Sequence, residues 1–245
     1  MVANGYTTLI FDLDGTLRHN RPEGHQVFWA RAAELGAPAA EENRRQAQRW
    51  GHQYWTNSGD LIDDLELYGR DNPEFWLNYA QRHLMALGSS QKQAAELAPL
   101  INQHMREEFE PEDWVDPQTP EMLEGFKEQG YALGVVTNRD EPVQDYLDEK
   151  GIGGFFDFIL AAGEIGIWKP DSRVFEHALK EMGAEPGMSV YIGDNYFADV
   201  LGAQSAGIQP VLVDPHKFFP EAECPVVDTI IELPALLNNG FKPNL

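Results

Sequence analysis

Leu9-Ile10-Phe11-Asp12-Leu13-Asp14-Gly15-Thr16-Leu17 closes a short apolar run with two carboxylates two residues apart. Alternate side chains of a strand point the same way, so Asp12 and Asp14 share a direction while the strand persists. Gly15 then lets the chain break away directly after them. The pair is thereby expected at the carboxyl end of a strand, which is where open α/β sheets bind their ligands. An Asp-Gly step by itself is equally at home in a surface turn, so three polar groups further along the chain decide between the two.

Working outward, Tyr131-Ala132-Leu133-Gly134-Val135-Val136 reads as a strand running into Thr137-Asn138-Arg139. The apolar segment around Phe156-Asp157-Phe158-Ile159-Leu160 precedes Trp168-Lys169-Pro170, and Ser189-Val190-Tyr191-Ile192 runs into Gly193-Asp194-Asn195-Tyr196-Phe197-Ala198-Asp199. Each polar group comes after an apolar run, so all four gather along one edge of a parallel sheet. Taken together, Asp12-x-Asp14-Gly15-Thr16, Thr137, Lys169 and the pair Asp194 and Asp199 resemble the four ordered motifs of the haloacid dehalogenase superfamily. The likeness covers roughly the first eighteen residues and everything from about residue 118 onward. The combination is far more specific than any one motif. It implies an α/β fold: a Rossmann-like doubly wound parallel sheet core with an inserted all-helical cap domain of the first type, in the phosphatase branch.

Composition narrows the partners. Eighteen basic against forty acidic side chains give a formal charge of −22, a field that repels phosphate backbones and makes nucleic acid an improbable partner. The same field opposes phosphate esters, so a bound divalent cation and local Lys and Arg groups would have to overcome it at the site. A single cysteine, Cys224, has no internal disulfide partner and reads as an inert thiol. No basic segment followed by an apolar one opens the chain, and no apolar run approaches membrane-spanning length. A cytoplasmic protein without membrane association, monomeric or weakly homodimeric, is expected.

Between residues 18 and 117 the strand and helix alternation disappears and the stretch reads as helices, flanked by a catalytic core of residues 1–17 and 118–245. Val27, Phe28, Ala32 and Leu35 make one apolar stripe; Trp76, Tyr79, Ala80, His83, Leu84 and Leu87 make another. Ala94, Leu97, Ala98, Ile101, Met105 and Phe109 make a third, which Pro99 should kink or divide. The interval between Lys169 and Gly193 has room for one helix, Asp171 to about Met182, and excludes a second cap. Beyond it, helices are expected at about Tyr196 to Ala206 and Leu233 to Leu237, with strands at Gln209 to Val213 and Val226-Val227; before it, a helix is expected at about Pro142 to Glu149.

The resemblance assigns roles. Asp12 would be the nucleophile that forms an acyl phosphate, and Asp14 the acid that protonates the leaving alkoxide and later the base that activates water. Relatives that cleave carbon–halogen bonds need no such proton and lack the second Asp, so Asp14 favours phosphoryl transfer. Mg²⁺ would be held by Asp12, Asp194 and the main-chain carbonyl of Asp14, with Asp199 holding a metal-bound water or orienting Lys169. Lys169 supplies fixed positive charge. Thr137, between a strand and a helix, can offer its hydroxyl and the following N–H groups to phosphate oxygens, with Asn138 beside it in the substrate-binding set. Arg18 and His19, where the insertion departs, are the leading specificity candidates; Arg139 is balanced between substrate and solvent. Of the aromatic residues in the insertion, most are expected to form a bundle core rather than a substrate wall. The expected function is a Mg²⁺-dependent phosphatase of a small phosphorylated metabolite. The alternatives are a phosphomutase and, further off, a 2-haloacid dehalogenase or a non-catalytic scaffold.

Overall fold

Residues 5–239 are described by a computed structural model. The chain runs β1 (Thr8–Phe11), β2 (His19–Arg21), α1 (Gly24–Glu34), α2 (Glu41–Tyr54), α3 (Gly59–Tyr68), α4 (Pro73–Ala86), α5 (Gln91–Glu107) and β3 (Glu112–Trp114). It continues α6 (Thr119–Gln129), β4 (Ala132–Thr137), α7 (Gln144–Glu149), β5 (Phe158–Ala161), α8 (Ser172–Met182) and β6 (Ser189–Gly193). The last elements are α9 (Gly202–Ser205), β7 (Gln209–Val213), β8 (Val226–Val227) and α10 (Leu233–Asn238). Two units partition it: the residues through His19 together with those from Trp114 onward, and Asn20–Asp113.

In the first unit six parallel strands lie in the order β5-β4-β1-β6-β7-β8. Counted within this sheet they run 3-2-1-4-5-6, the doubly wound order, and β1 stands where the winding reverses. Strands buried on both faces read as continuous apolar runs because helices cover each side. Leu9, Phe11, Val135 and Ile192 pack with Leu123 and Phe126 of α6, Leu147 of α7 and Leu233 of α10. Ile10, Val136 and Tyr191 face the other way, onto Val174, Phe175 and Ala178 of α8 and Ala203 of α9. The alternation is the two-residue period of a strand expressed as two half-cores.

Helix α8 begins where the sequence places its cap: the Asp171 carboxylate accepts the Arg173 N–H at 3.0 Å. The stretch expected as one helix from Tyr196 to Ala206 differs. Tyr196–Leu201 forms a π-helical turn before α9. Asn195 Oδ1 accepts from the N–H groups of Phe197 and Ala198, and the wide turn carries Asp199 inward to full burial. Such turns recur where a side chain must be aimed at a site.

The second unit is helical, with two departures from expectation. Strands β2 and β3 pair as a two-stranded ribbon; three-residue strands are too short to display a period of two. Pro99 does not divide α5, which runs unbroken past it, because Pro99 and Ala95 lie on the exposed side, where the carbonyl that loses its partner meets water. The aromatic residues do build a core: Tyr54 and Phe75 are buried, with Trp50, Trp55, Tyr68 and Tyr79 packed on them. Arg45 pairs with Glu42 on an exposed face of α2.

His83 gives this unit a pH dependence. Its ring stacks on Phe28 at 4.3 Å and its Nε2 accepts the Trp29 indole N–H at 3.0 Å, which requires the neutral imidazole. Burial, reinforced by the charge of His25, holds its pKa down at about 3. The unfolded imidazole takes its proton near pH 6.5, so stability falls as the pH drops below that value, by about 2 kcal/mol at pH 5. His83→Gln, which keeps an acceptor for Trp29 but does not titrate, should lose less stability between pH 7.5 and 5 in tryptophan-monitored urea unfolding. Equal losses in the two proteins would contradict this assignment.

Candidate active site

The carboxyl edge of the sheet gathers the sequence-predicted groups at the β1 switch point. Asp12 comes directly after β1, and its N–H continues the ladder to the Ile192 carbonyl of β6 at 2.8 Å. The chain then coils tightly: the Leu17 and Arg18 N–H groups reach the Leu13 carbonyl at 3.0 and 2.9 Å, and the Gly15 N–H reaches the Arg18 carbonyl at 2.7 Å. Gly15 has φ +88° and faces Asp194 so closely that a Cβ would strike its carboxylate. Only glycine satisfies both the backbone and the space. Gly193, at the end of β6, is required on grounds of space alone, because a Cβ there would collide with the Asp199 side chain.

Lys169 is the hub. Its Nζ donates to Asp12 Oδ1 at 2.7 Å, Asp199 Oδ1 at 2.6 Å and the Tyr191 hydroxyl at 2.8 Å, so all three ammonium protons are placed although the residue is only 2 % exposed. Burial alone would lower its pKa, and the charges of Asp12 and Asp199 more than reverse this, leaving it well above the ordinary value. The backbone of Lys169 is clamped as well. Its N–H donates to Asn138 Oδ1 at 2.8 Å and its carbonyl accepts from Asn138 Nδ2 at 3.0 Å.

The carboxylates outnumber this one cation. Oxygens of Asp12, Asp194 and Asp199 lie within 4.8 Å of one another. Burial pushes Asp12 up to about 7, with Lys169 pulling it down and Asp199 pushing further up. Burial and the charges of Asp12 and Asp199 hold Asp194 well above the carboxylate range. Three carboxylates facing one ammonium are a donor set suited to a hard divalent cation. Within the set Asp199 is already committed: Oδ1 accepts from Lys169 and Oδ2 from the Asn195 N–H at 2.9 Å. Asp12 and Asp194 are therefore the better pair for a metal, and Asp199 fits the alternative of orienting Lys169.

Asp14 sits to one side. Arg139 Nε and Nη2 donate to its two oxygens, each at 2.7 Å, and Arg18 Nη1 adds a third bond at 3.2 Å. Thr137 ends β4, buried, on the same sheet edge. Two expected substrate contacts have other occupations here. Asn138 braces Lys169, and the His19 ring lies against Trp114 with Nε2 3.1 Å from the Thr16 carbonyl. Sequence reasoning misses Tyr191, whose hydroxyl accepts from Lys169 and donates to the Val136 carbonyl at 2.8 Å. The signal for it is a phenol in an otherwise apolar central strand, since a buried hydroxyl needs a partner. Cys224 behaves as expected of an inert thiol, pushed up to about 11 by burial.

The doubly wound sheet thus carries a buried lysine–carboxylate cluster at its switch point. Residues 6–207 match the haloacid dehalogenase-like hydrolase family. A haloacid dehalogenase-like hydrolase domain-containing protein 3 of Bos taurus is 31 % identical over 204 residues, covering 82 % of this chain and 78 % of the relative. The chain belongs to this family. A phosphoserine phosphatase of Thermus thermophilus is 28 % identical across 84 % of this chain and 88 % of its own. Among solved structures, a 2-haloacid dehalogenase from Pseudomonas syringae superposes with TM-score 0.54 at 24 % identity, covering 95 % of this chain and 98 % of that one. That likeness speaks for the fold alone.

Proposed function

We propose that the protein is a Mg²⁺-dependent phosphatase of a small phosphorylated metabolite, working through an aspartyl-phosphate on Asp12. The observation that carries this reading is a second carboxylate, Asp14, two residues beyond the lysine-bound Asp12 and outside the Lys169 cluster. Departure of an alkoxide needs a proton, whereas departure of a halide does not, so Asp14 separates phosphatase from dehalogenase where the fold cannot. The phosphatase activity of the Thermus relative supports the same choice.

Asp12 attacks phosphorus through the oxygen that is not held by Lys169, and the ester oxygen leaves with a proton from Asp14. Water then attacks the acyl phosphate and gives its proton back to Asp14, which restores both carboxyl groups. Lys169 holds Asp12 in place and meets the charge on the phosphoryl oxygens. Asp199, Tyr191 and Asn138 fix Lys169. Thr137 is suited to hold a phosphoryl oxygen at the end of β4. Mg²⁺ on Asp12 and Asp194 would supply the neutralisation that lets an anionic nucleophile meet an anionic ester.

Phosphate release should need Mg²⁺ and stop with EDTA. Ca²⁺ should inhibit, because its longer bonds and higher coordination number favour binding Asp12 through both oxygens. Strong turnover with Ca²⁺ alone would contradict the proposed use of Asp12. The phosphomutase alternative predicts that turnover depends on a bisphosphate activator, and Mg²⁺-dependent release without one would exclude it.

A further inference from the structure

Three consecutive residues at the end of β4 serve three parts of the site. Thr137 closes the strand, buried. Asn138 holds the Lys169 backbone through its N–H and its carbonyl. Arg139 holds Asp14: Nε donates to Oδ2 and Nη2 to Oδ1, each at 2.7 Å. The coil after β1 fixes the main chain around Asp14, since the Gly15 N–H is bound to the Arg18 carbonyl and the Arg18 N–H to the Leu13 carbonyl. Two side-chain torsions remain, and a planar guanidinium fork that meets both carboxylate oxygens removes that freedom. Arg139 is itself braced. Its carbonyl accepts the Gly163 N–H at 3.1 Å, and a Cβ on Gly163 would strike the Asp140 backbone, so the turn after β5 packs directly against this loop. The Arg139 guanidinium lies over the Tyr146 ring of α7 at 4.8 Å. The Asp14 and Arg139 side chains are 40 % and 32 % exposed, and ion pairs so open to water add little to stability. What the pair supplies is orientation.

We propose that Arg139 is a positioning residue, which fixes the Asp14 carboxyl group in the orientation from which its proton reaches the leaving group. The inference rests on the phosphatase reading. There the bond from phosphorus to the ester oxygen breaks as Asp12 bonds to phosphorus, and the departing oxygen takes the proton of Asp14. Such a transfer is sensitive to placement, since an error of about 1 Å at a catalytic group can cost on the order of 100-fold. Arg139 needs no unoccupied N–H for this part, because the two that matter are already on Asp14. The fork takes one acceptor site of Oδ2, whose other site can carry the proton. Arg18 Nη1 adds one longer bond to Oδ1, at 3.2 Å, and contributes less.

Phenyl phosphate and 2,4-dinitrophenyl phosphate test the proposal, because phenoxide needs a proton to leave and dinitrophenoxide does not. The ratio of their kcat/KM values, activated over unactivated, isolates the use made of Asp14. In Arg139→Met it should rise by about tenfold or more, part of the roughly 10²–10⁴-fold that a positioned acid supplies. Arg139→Lys keeps the charge without the fork and should raise the ratio by less. In an Asp14→Asn background, Arg139→Met should leave the ratio where Asp14→Asn alone puts it, since its effect passes through Asp14. Equal losses on the two esters in Arg139→Met, as a structural or phosphate-binding role predicts, overturn the proposal. So does a further rise in the Asp14→Asn background, or a wild-type ratio in Arg139→Lys. Crystal structures of the wild type and of Arg139→Met give a readout independent of turnover. The Asp14 carboxyl group should leave its wild-type position in the variant, and one that stays in place overturns the positioning role. A displaced Asp14 in a protein that hydrolyses neither ester supports that role and counts against the phosphatase reading alone.

Discussion

Asp12→Asn should leave a folded protein whose turnover is reduced by a factor on the order of 10⁵. The amide keeps the shape of the carboxylate, and its oxygen can still accept from Lys169 Nζ, but it carries no charge with which to attack phosphorus. The same substitution should stabilise the metal-free protein at neutral pH. Burial raises the Asp12 pKa to about 7, against an unfolded value near 3.8. A carboxyl raised on folding contributes stability that is present below the unfolded pKa and lost as pH climbs through the folded one. In EDTA, then, the melting temperature of Asp12→Asn should gain on that of the wild type between pH 4 and pH 8. Mg²⁺ should narrow the gap at pH 8 by stabilising the wild type. Near-full phosphatase activity in the variant would remove the covalent mechanism, and a gap that closes with rising pH would show that Asp12 is not strained by burial.

Much of this arrangement is legible in the sequence because its signals are local. An apolar run ending in Asp-x-Asp-Gly names both a strand and its end, and the same holds for Val136-Thr137 and Ile192-Gly193-Asp194. What stays hidden depends on distance in the chain. Asn138 looks like a phosphate-loop residue until Lys169, thirty-one residues on, is seen to occupy its amide on both sides. Arg139 cannot be told from a solvated arginine because its partner, Asp14, precedes it by 125 residues. Tyr191 reads as one more apolar strand residue, although its hydroxyl bridges Lys169 and the β4 backbone. In the helical unit, α2 has so many charged and amide side chains that no apolar stripe announces it. Helix α3 is tied down by a buried Asp64 that accepts from Tyr54 and Arg82, a contact that no periodicity reveals. The π-turn at Tyr196–Leu201 reads as ordinary helix for a related reason: the spacing of its apolar residues is close to helical, and only the inward pull on Asp199 widens it.

Lys169→Met should be the costliest single change for fold and chemistry together. Methionine fills much of the lysine stem's volume, so the loss is mainly electrostatic. Asp12 and Asp199 would keep their places, 6 % and 1 % exposed, without the cation that now binds both. Removing one partner of a buried pair leaves an uncompensated charge, which costs about 3 to 5 kcal/mol. Part of that cost is avoided if a carboxyl takes up a proton, so the deficit should be largest in EDTA at pH 8 and smaller at pH 5. Turnover should fall by a factor on the order of 10³, the scale for losing a fixed charge at a developing anion. Lys169→Arg should not rescue it, since a planar fork cannot reach Asp12, Asp199 and Tyr191 from the single point that Nζ occupies. Urea unfolding at the two pH values, with phosphate release at saturating Mg²⁺, reads both effects. If Lys169→Met were as stable as the wild type in EDTA at pH 8, the three carboxylates would not depend on this ammonium. If Lys169→Arg retained full activity, the charge would matter but the three-point mounting by Asp12, Asp199 and Tyr191 would not.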